Sequence, residues 1–218
     1  MLTAQGFHSA RFVQLRQGLD TTRWEASSEN KKRTSSHLRV GYIGQIAKHK
    51  GVDVLVRAFK RLRTQGPAPR LLLYGETERH PRFVRHLRRL VDGDGNIEFA
   101  GTFENNQILK VHSELDVLVV PSLWYENSPN VILEASAAGT PVIASNMGGM
   151  AELVQHGVNG LCFTPGDGDD LARQLQFIVD EPSTLNDLKQ GISRVKTIQE
   201  EMTELIQVYR SVARDDRT

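Results

Sequence analysis

The chain has little of several features that would place it in a specialised class. Its single cysteine, Cys162, cannot form an internal disulfide, and there is no cysteine cluster to hold a metal. No apolar run approaches the roughly 20 residues that a membrane span needs, and the first residues show no signal-peptide core. The net charge of +1 over 218 residues argues against bulk nucleic acid or an anionic membrane as the main partner. These absences favour a cytoplasmic globular protein.

The order of apolar segments is that of an α/β protein. Short strand-like runs ending in glycine, serine or proline alternate with segments of helical spacing. The runs are too apolar to have one face in water, so we expect a parallel sheet covered on both sides. The predicted fold is a single Rossmann-like, doubly wound domain that binds ligand at the carboxyl ends of its strands. The expected strands are 38–44, 70–75, 96–101, 116–122, 141–145 and 160–163, and the expected helices are 52–63, 80–91, 104–113, 129–139 and 167–180.

Both ends of the chain fall outside this pattern. Residues 1–37 end in a polar, serine-rich stretch and are predicted to be an interdomain segment and linker. Residues 38–182 form the sheet domain. Residues 183–218 carry apolar residues at helical spacing and are predicted to form C-terminal helices.

The segment from Glu126 to Glu134 has the most informative chemistry. Ser128 is a suitable N-cap and Pro129 a suitable first helical residue, so a helix is expected to start directly after a buried strand. The N–H groups of Asn130 and Val131 would then offer an anion site suited to a diphosphate. The two glutamates would accept hydrogen bonds from sugar hydroxyls. A solvated helix face explains such a pair equally well when it is considered alone.

A second candidate loop runs from Gly44 to Gly51. Gly44 allows a tight turn after the first strand, Gly51 is expected to let the backbone approach a ligand, and Lys50 offers a positive charge to a phosphate. The loop matches neither the dinucleotide-binding fingerprint nor a Walker loop. An ordinary loop with a surface lysine is the alternative.

Taken in order, these segments resemble a known family. The order is GQIAKHKGVDVLVRAF, then DVLVVPSLWYENSPNVILEASAAGTPVIAS, then GGMAELVQHGVNGLCFTPGD. The chain resembles the C-terminal, donor-binding domain of the family 4 retaining glycosyltransferases of GT-B fold, from about residue 10 to residue 212. Glu126 and Glu134 match the E-x7-E motif of that family, and the glycine pair at 148–149 and the PGD at 165–167 fall in its usual order.

The resemblance implies roles for the matching residues. Lys50 would contact the donor diphosphate and Glu126 the donor sugar, which makes these two the candidate catalytic residues. Glu134 would bind the ribose hydroxyls, and Phe103 would lie near the base. The family usually has arginine where this chain has Gln45, so donor affinity or leaving-group stabilisation is expected to be weaker. The full candidate donor-binding set is Gly44, Gln45, Lys50, Phe103, Glu126, Ser128, Asn130, Val131 and Glu134.

The resemblance also implies a reaction and partners. A hexose would pass from a nucleoside diphosphate to an acceptor hydroxyl with retention of configuration, in polysaccharide or glycoconjugate synthesis, without a metal or other cofactor. Family members carry a preceding acceptor-binding domain, which is expected to be missing here, so the fragment is expected to be inactive alone. The C-terminal helices of residues 183–218 would pack against that missing domain, so their apolar stripe is expected to be partly exposed here or to pack on a second copy. We further expect peripheral association with the inner face of the membrane through the missing domain, and a dimer through the C-terminal helix.

Three alternatives stay open. The chain is either an excised fragment, the preferred interpretation, or a naturally split enzyme or lone binding domain. An epimerase or phosphorylase on the same fold is a rival function. A non-catalytic nucleotide-sugar-binding or partner module is another, and Gln45 is the residue that favours it.

Overall fold

The computed structural model describes residues 13–20, 22 and 37–215. The linker predicted at 25–37 lies outside the described residues except for His37. The chain divides into two compact units, one formed by Met1–Thr21 with Val195–Thr218 and the other by Thr22–Arg194.

The larger unit contains a six-stranded, fully parallel sheet, which confirms the predicted Rossmann-like α/β fold. The strand order is β3-β2-β1-β4-β5-β6. The strands are β1 Arg39–Ile43, β2 Arg70–Tyr74, β3 Ile97–Gly101, β4 Val117–Val120, β5 Val142–Ser145 and β6 Gly160–Phe163. The helices of the chain are α1 Val52–Phe59, α2 Pro81–Val91, α3 Ile108–Ser113, α4 Asn130–Ala137, α5 Gly148–Leu153, α6 Gly168–Asp180, α7 Thr184–Gln190 and α8 Ile198–Asp215.

The apolar strands form this sheet because each contributes to two cores. Successive side chains of a strand point to opposite faces. In β4, Val117 and Val119 join the core that includes Leu55 of α1, whereas Leu118 and Val120 join the core that includes Ile132 of α4. All four residues of β4 are buried, so the strand reads as a continuous apolar run rather than an alternating one.

The topology places the loops that follow β1 and β4 side by side. These two strands are neighbours, with Val40 paired to Val117 and Gly41 to Leu118. From this pair the sheet grows in opposite directions, through β2 and β3 on one side and through β5 and β6 on the other. The crevice at such a switch point, at the carboxyl ends of the strands, is where open α/β sheets bind ligands.

Helix α5 is absent from the sequence prediction. Its six residues begin with two glycines, Gly148 and Gly149, and glycine has a low helical propensity. Contacts with the loop before α4, described below, hold it in place.

Helix α6 offers a direct test of a capping interaction. The Asp167 carboxylate accepts hydrogen bonds from the N–H groups of Asp169 (2.9 Å) and Asp170 (3.0 Å). We expect Asp167→Ala to lower the free energy of unfolding by about 1 kcal/mol, and Asp167→Asn to retain most of the stability. Urea denaturation of the three proteins checks this. A loss equally large in Asp167→Asn would contradict the capping role.

The C-terminal helices differ in burial. Leu185 and Leu188 of α7 are buried in a core of the sheet domain, so α7 belongs to the larger unit, although the sequence grouped it with the C-terminal extension. Helix α8 belongs to the smaller unit, where Leu19 pairs with Thr197 and the Gly18 N–H donates to Glu201 (2.8 Å).

Helix α8 has an exposed apolar stripe, as the sequence predicts: Ile198, Met202, Ile206, Tyr209 and Val212 are all exposed. Among the described helices, none is both long and apolar enough to cross a membrane.

Candidate functional site

The loops after β1 and β4 bring the two candidate catalytic residues into contact. The Lys50 ammonium lies 2.5 Å from the Glu126 Oε1 atom. The Ser122 hydroxyl donates to the same oxygen at 3.0 Å. The Lys50 and Glu126 side chains are 29% and 20% exposed, so solvent and a ligand can both reach the pair. Seventy-six residues of sequence separate the two, and the switch point joins them.

Backbone contacts fasten the two loops together. The Leu123 N–H donates to the His49 carbonyl at 2.8 Å. Gly51 has a left-handed φ of 69°, and a Cβ there would stand 1.9 Å from the Pro121 carbonyl oxygen. The close neighbour of Gly51 is therefore Pro121, and the glycine lets one loop pack on the other, whereas its approach to a ligand stays a prediction.

Gly44 and Gln45 are held at the same edge by hydrogen bonds with Tyr74 and Tyr42, respectively. The Gly44 N–H donates to the Tyr74 carbonyl (3.1 Å), which links the ends of β1 and β2. The Tyr42 hydroxyl donates to the Gln45 carbonyl at 2.7 Å. Burial, and next the negative charge of Glu126, raise the pKa of Tyr42 above its ordinary value. Tyr42 is thus a neutral donor that fixes the loop carrying Gln45. Sequence reasoning missed it, because a tyrosine in an apolar strand resembles any core residue.

The glycine pair at the start of α5 supports the loop that carries Glu126. The Gly149 N–H donates to the Glu126 carbonyl at 2.7 Å. A Cβ at Gly149 would lie 1.9 Å from the Asn127 carbonyl oxygen, and Gly148 has a φ of 53°. The pair therefore lets α5 rest directly on the backbone of this loop, which sets the position of Glu126.

Helix α4 begins one residue later than the sequence predicted. Its first residue is Asn130 and its N-cap is Pro129, whose ψ of 105° is extended, and the cap has no side-chain hydrogen bond. The expectation of Ser128 as N-cap and Pro129 as first helical residue is therefore wrong. The extended Pro129 is buried, so tertiary packing overrides the local capping preference. Asn130 and the half-buried Val131 form the first turn, as expected.

Glu134 and Phe103 complete the candidate set. Glu134 lies half-buried on the second turn of α4, and burial raises the pKa of its carboxyl above the ordinary value. Phe103 follows β3 and makes an edge-to-face contact with Tyr74, at 5.7 Å between ring centroids. Both residues lie at or beyond the carboxyl edge of the sheet, but the Phe103 loop is two strands away from β1.

A cavity of about 730 Å³ lies at the opposite edge, near the start of β4 and the end of α6. Two of its polar residues are engaged in structural contacts: Asp116 pairs with Arg39 at 3.4 Å, and the Gln176 side chain bonds the backbone of Arg63. Within the described residues, no group of three or more His, Cys, Asp or Glu side chains is arranged to hold a metal. The switch-point loops are therefore the candidate site.

Comparison with known proteins identifies the family of this α/β domain. The family model described as glycosyl transferases group 1 matches residues 37–181, which includes both site loops. The chain belongs to the glycosyl transferases group 1. The resemblance noted in the sequence is thereby confirmed at the level of the family.

Curated relatives of this group 1 chain are much longer than the chain itself. It is 31% identical over 176 residues to glycogen synthase of Mycobacterium tuberculosis, covering 80% of this chain and 41% of that protein. It is 35% identical over 152 residues to the D-inositol 3-phosphate glycosyltransferase of Stackebrandtia nassauensis, covering 66% and 34%. The chain thus spans about two fifths or less of the length of these relatives.

Solved structures share the fold of this group 1 chain. Anabaena Alr3699/HepE, solved in complex with UDP, superposes with a TM-score of 0.78 at 19% identity, covering 95% of this chain and 60% of that one. The sucrose-phosphate synthase of Thermosynechococcus elongatus superposes with a TM-score of 0.71 at 26% identity, covering 91% and 50%.

Proposed function

We propose that this chain is the donor-binding domain of a retaining glycosyltransferase that takes a hexose from a nucleoside diphosphate. The observation that carries the proposal is the Lys50–Glu126 pair at the switch point (2.5 Å). Glu126 lies four positions before Asn130, the first residue of α4. A cation, a carboxylate and a helix N terminus are the groups that a diphosphate joined to a sugar requires.

The diphosphate would engage Lys50 and the first turn of α4. The helix macrodipole favours an anion beside Asn130 and Val131, and Lys50 adds a full positive charge. When the diphosphate binds the Lys50 ammonium, it replaces Glu126 as the partner of that cation. The Glu126 carboxylate can then accept hydrogen bonds from the sugar hydroxyls. Glu134, on the same helix, would accept from the ribose hydroxyls.

Catalysis would rest on charge that develops on the leaving diphosphate. Fixed donors and cations aimed at such charge supply a large share of the rate enhancement in many enzymes. We propose that Lys50 and the α4 N terminus perform this task without a divalent metal or cofactor. Gln45 contributes a hydrogen-bond donor but no charge, which leaves Lys50 as the cation of this loop that we propose to contact the diphosphate.

Relatives guide the choice of donor to test first. Alr3699/HepE has been solved with UDP and with UDP and glucose, which makes a uridine nucleotide the first candidate here. Transfer to an acceptor hydroxyl would require an acceptor-binding domain, and we propose that the isolated chain binds the donor without turnover. A domain that only binds nucleotide sugar is the second candidate, because Gln45 lacks the charge usual at its position.

The test is calorimetric titration of the chain with UDP, GDP, ADP and CMP. We expect one nucleoside diphosphate to bind selectively. Lys50→Ala removes the cation that faces the diphosphate and Glu134→Ala removes the ribose acceptor, so each should weaken binding by at least about tenfold, the equivalent of one charge-assisted hydrogen bond.

Lys48→Ala is the matched control. Lys48 is an exposed lysine two positions before Lys50 on the same loop, so its loss changes net charge equally without removing the proposed phosphate contact. If nucleotide affinity falls as much in Lys48→Ala as in Lys50→Ala, the loss reflects the change in net charge and not a direct contact between Lys50 and the diphosphate. Binding of none of the four nucleotides would overturn the proposal for this chain.

A further inference from the structure

We propose that the exposed face of helix α2 binds the surface of an anionic lipid bilayer. This face is defined by four arginines, Arg82, Arg85, Arg88 and Arg89, all of which are exposed. It belongs to the larger unit and is independent of the donor site. The proposal concerns this helix and not a domain outside the chain.

Helix α2 is amphipathic, with its apolar residues on the side that faces the sheet and its arginines on the exposed side. Val84, Leu87 and Val91 are buried against the sheet. The arginines recur at spacings of three and four residues and therefore share one side of the helix. The sequence PRFVRHLRRLV contains no acidic residue; the nearest acids in sequence, Glu78 and Asp92, lie beyond its ends.

The four arginines lack the acidic partners that nearby arginines have. Arg57 pairs with Asp53 at 3.2 Å and Arg70 with Glu98 at 3.4 Å, and Arg61 pairs with Asp169. Across residues 37–215, by contrast, none of the four arginines of α2 forms an ion pair with a carboxylate.

Helix stability does not account for the arrangement. Like charges three or four positions apart repel and destabilise a helix, and α2 contains such pairs at Arg82–Arg85, Arg85–Arg88 and Arg85–Arg89. An external anion that neutralises the row would remove this repulsion. The charge pattern therefore fits a surface that is complete only when an anionic partner covers it.

Contacts with neighbouring elements fix the position of helix α2 and of its arginines. The ammonium of Lys60, the residue that follows α1, donates to the carbonyls of Leu90 (2.8 Å) and Val91 (3.2 Å) and so caps the C terminus of α2. The Arg88 guanidinium lies over the Phe99 ring, 4.6 Å from its centroid. Eleven residues extend about 16 Å along the helix axis, which is enough to face several lipid headgroups at once.

A bilayer fits this surface better than a nucleic acid. Arginine binds phosphate groups in a bidentate manner, and lipids can diffuse until their phosphates match a fixed row of guanidiniums. Single-stranded nucleic acid would call for exposed aromatic rings on which bases stack, whereas Phe83, the aromatic residue of α2, is half-buried.

The experiment is co-sedimentation of the chain with vesicles in physiological salt. Vesicles of pure phosphatidylcholine are compared with vesicles that contain about one third phosphatidylglycerol. Each basic residue near such an anionic surface strengthens membrane binding by roughly fivefold. We expect binding to the anionic vesicles alone. The double variant R82Q/R85Q should lower the partition coefficient by about tenfold or more.

The control is the double variant R70Q/R173Q. Arg70 and Arg173 are partly exposed but paired with Glu98 and Asp170, so this variant has the same net charge as R82Q/R85Q with α2 intact. Equal loss of binding in the two double variants, or equal binding of the wild type to neutral and anionic vesicles, would overturn the proposal. A duplex or single-stranded oligonucleotide that binds more tightly than the anionic vesicles, with the same dependence on Arg82 and Arg85, would assign the surface to nucleic acid instead.

Discussion

Gly149→Ala should lower the free energy of unfolding by about 2–3 kcal/mol and weaken nucleotide binding at the same time. The added methyl group would lie 1.9 Å from the Asn127 carbonyl oxygen. Because that oxygen belongs to the backbone, no side-chain rotation can relieve the contact. Either α5 or the loop that carries Glu126 must move, and the hydrogen bond from the Gly149 N–H to the Glu126 carbonyl (2.7 Å) would be lost.

Urea denaturation and nucleotide titration measure the two effects separately. Gly95→Ala is the matched control, because a Cβ at Gly95 has no neighbouring atom within 4 Å, and it should leave both quantities unchanged. A Gly149→Ala protein as stable as the wild type and with unaltered nucleotide affinity would show that α5 does not hold the Glu126 loop. Loss of stability alone would limit the role of Gly149 to folding.

Lowering the pH from 7 to 5 should destabilise the chain through His112. Its side chain is fully buried in α3, and neither ring nitrogen has a hydrogen-bond partner. Burial lowers the pKa of His112 from 6.5 to about 4. The unfolded chain therefore takes up this proton first, so stability is complete above about pH 6.5, falls between 6.5 and 4, and levels off below 4. At pH 5 the loss from this one group is about 2 kcal/mol.

The measurement is the free energy of unfolding of wild type and His112→Leu at pH 7 and pH 5. Leucine has a similar volume, takes up no proton and leaves no polar atom unpaired. The variant should therefore be at least as stable at pH 7 and should lose about 2 kcal/mol less than the wild type on acidification. Equal acid losses in the two proteins would show that other groups account for the pH dependence.

The strands were predictable because burial on both faces leaves a strong signal. The four residues of β4, all buried, stand out as an unbroken apolar run, and β6 was predicted at its observed bounds. Helix α5 was missed because its stability comes from resting on the chain around Asn127, which is distant in sequence. Propensity cannot register such a contact.

The contents of the site were predictable in part. Residue types and family resemblance indicated Lys50 and Glu126, and the parallel topology predicts that the loops bearing them meet. The sequence offered no means of assigning the supporting contacts. Ser122 and Tyr42, which hold Glu126 and Gln45 in place, are a serine and a tyrosine in apolar surroundings. The start of α4 was misplaced by one residue because a buried, extended Pro129 cannot be distinguished locally from one inside the helix.

The ion pair between Lys50 and Glu126 has a consequence for the order of recognition. Without ligand, the charges of Lys50 and Glu126 satisfy each other, so the Glu126 carboxylate is not available to a free sugar. On the proposed function, a diphosphate must first displace the carboxylate, and only then does that carboxylate become available to the attached hexose. The crevice would thus accept a nucleoside diphosphate alone, but its Glu126 carboxylate would accept hydrogen bonds from a hexose only when that hexose is joined to the diphosphate.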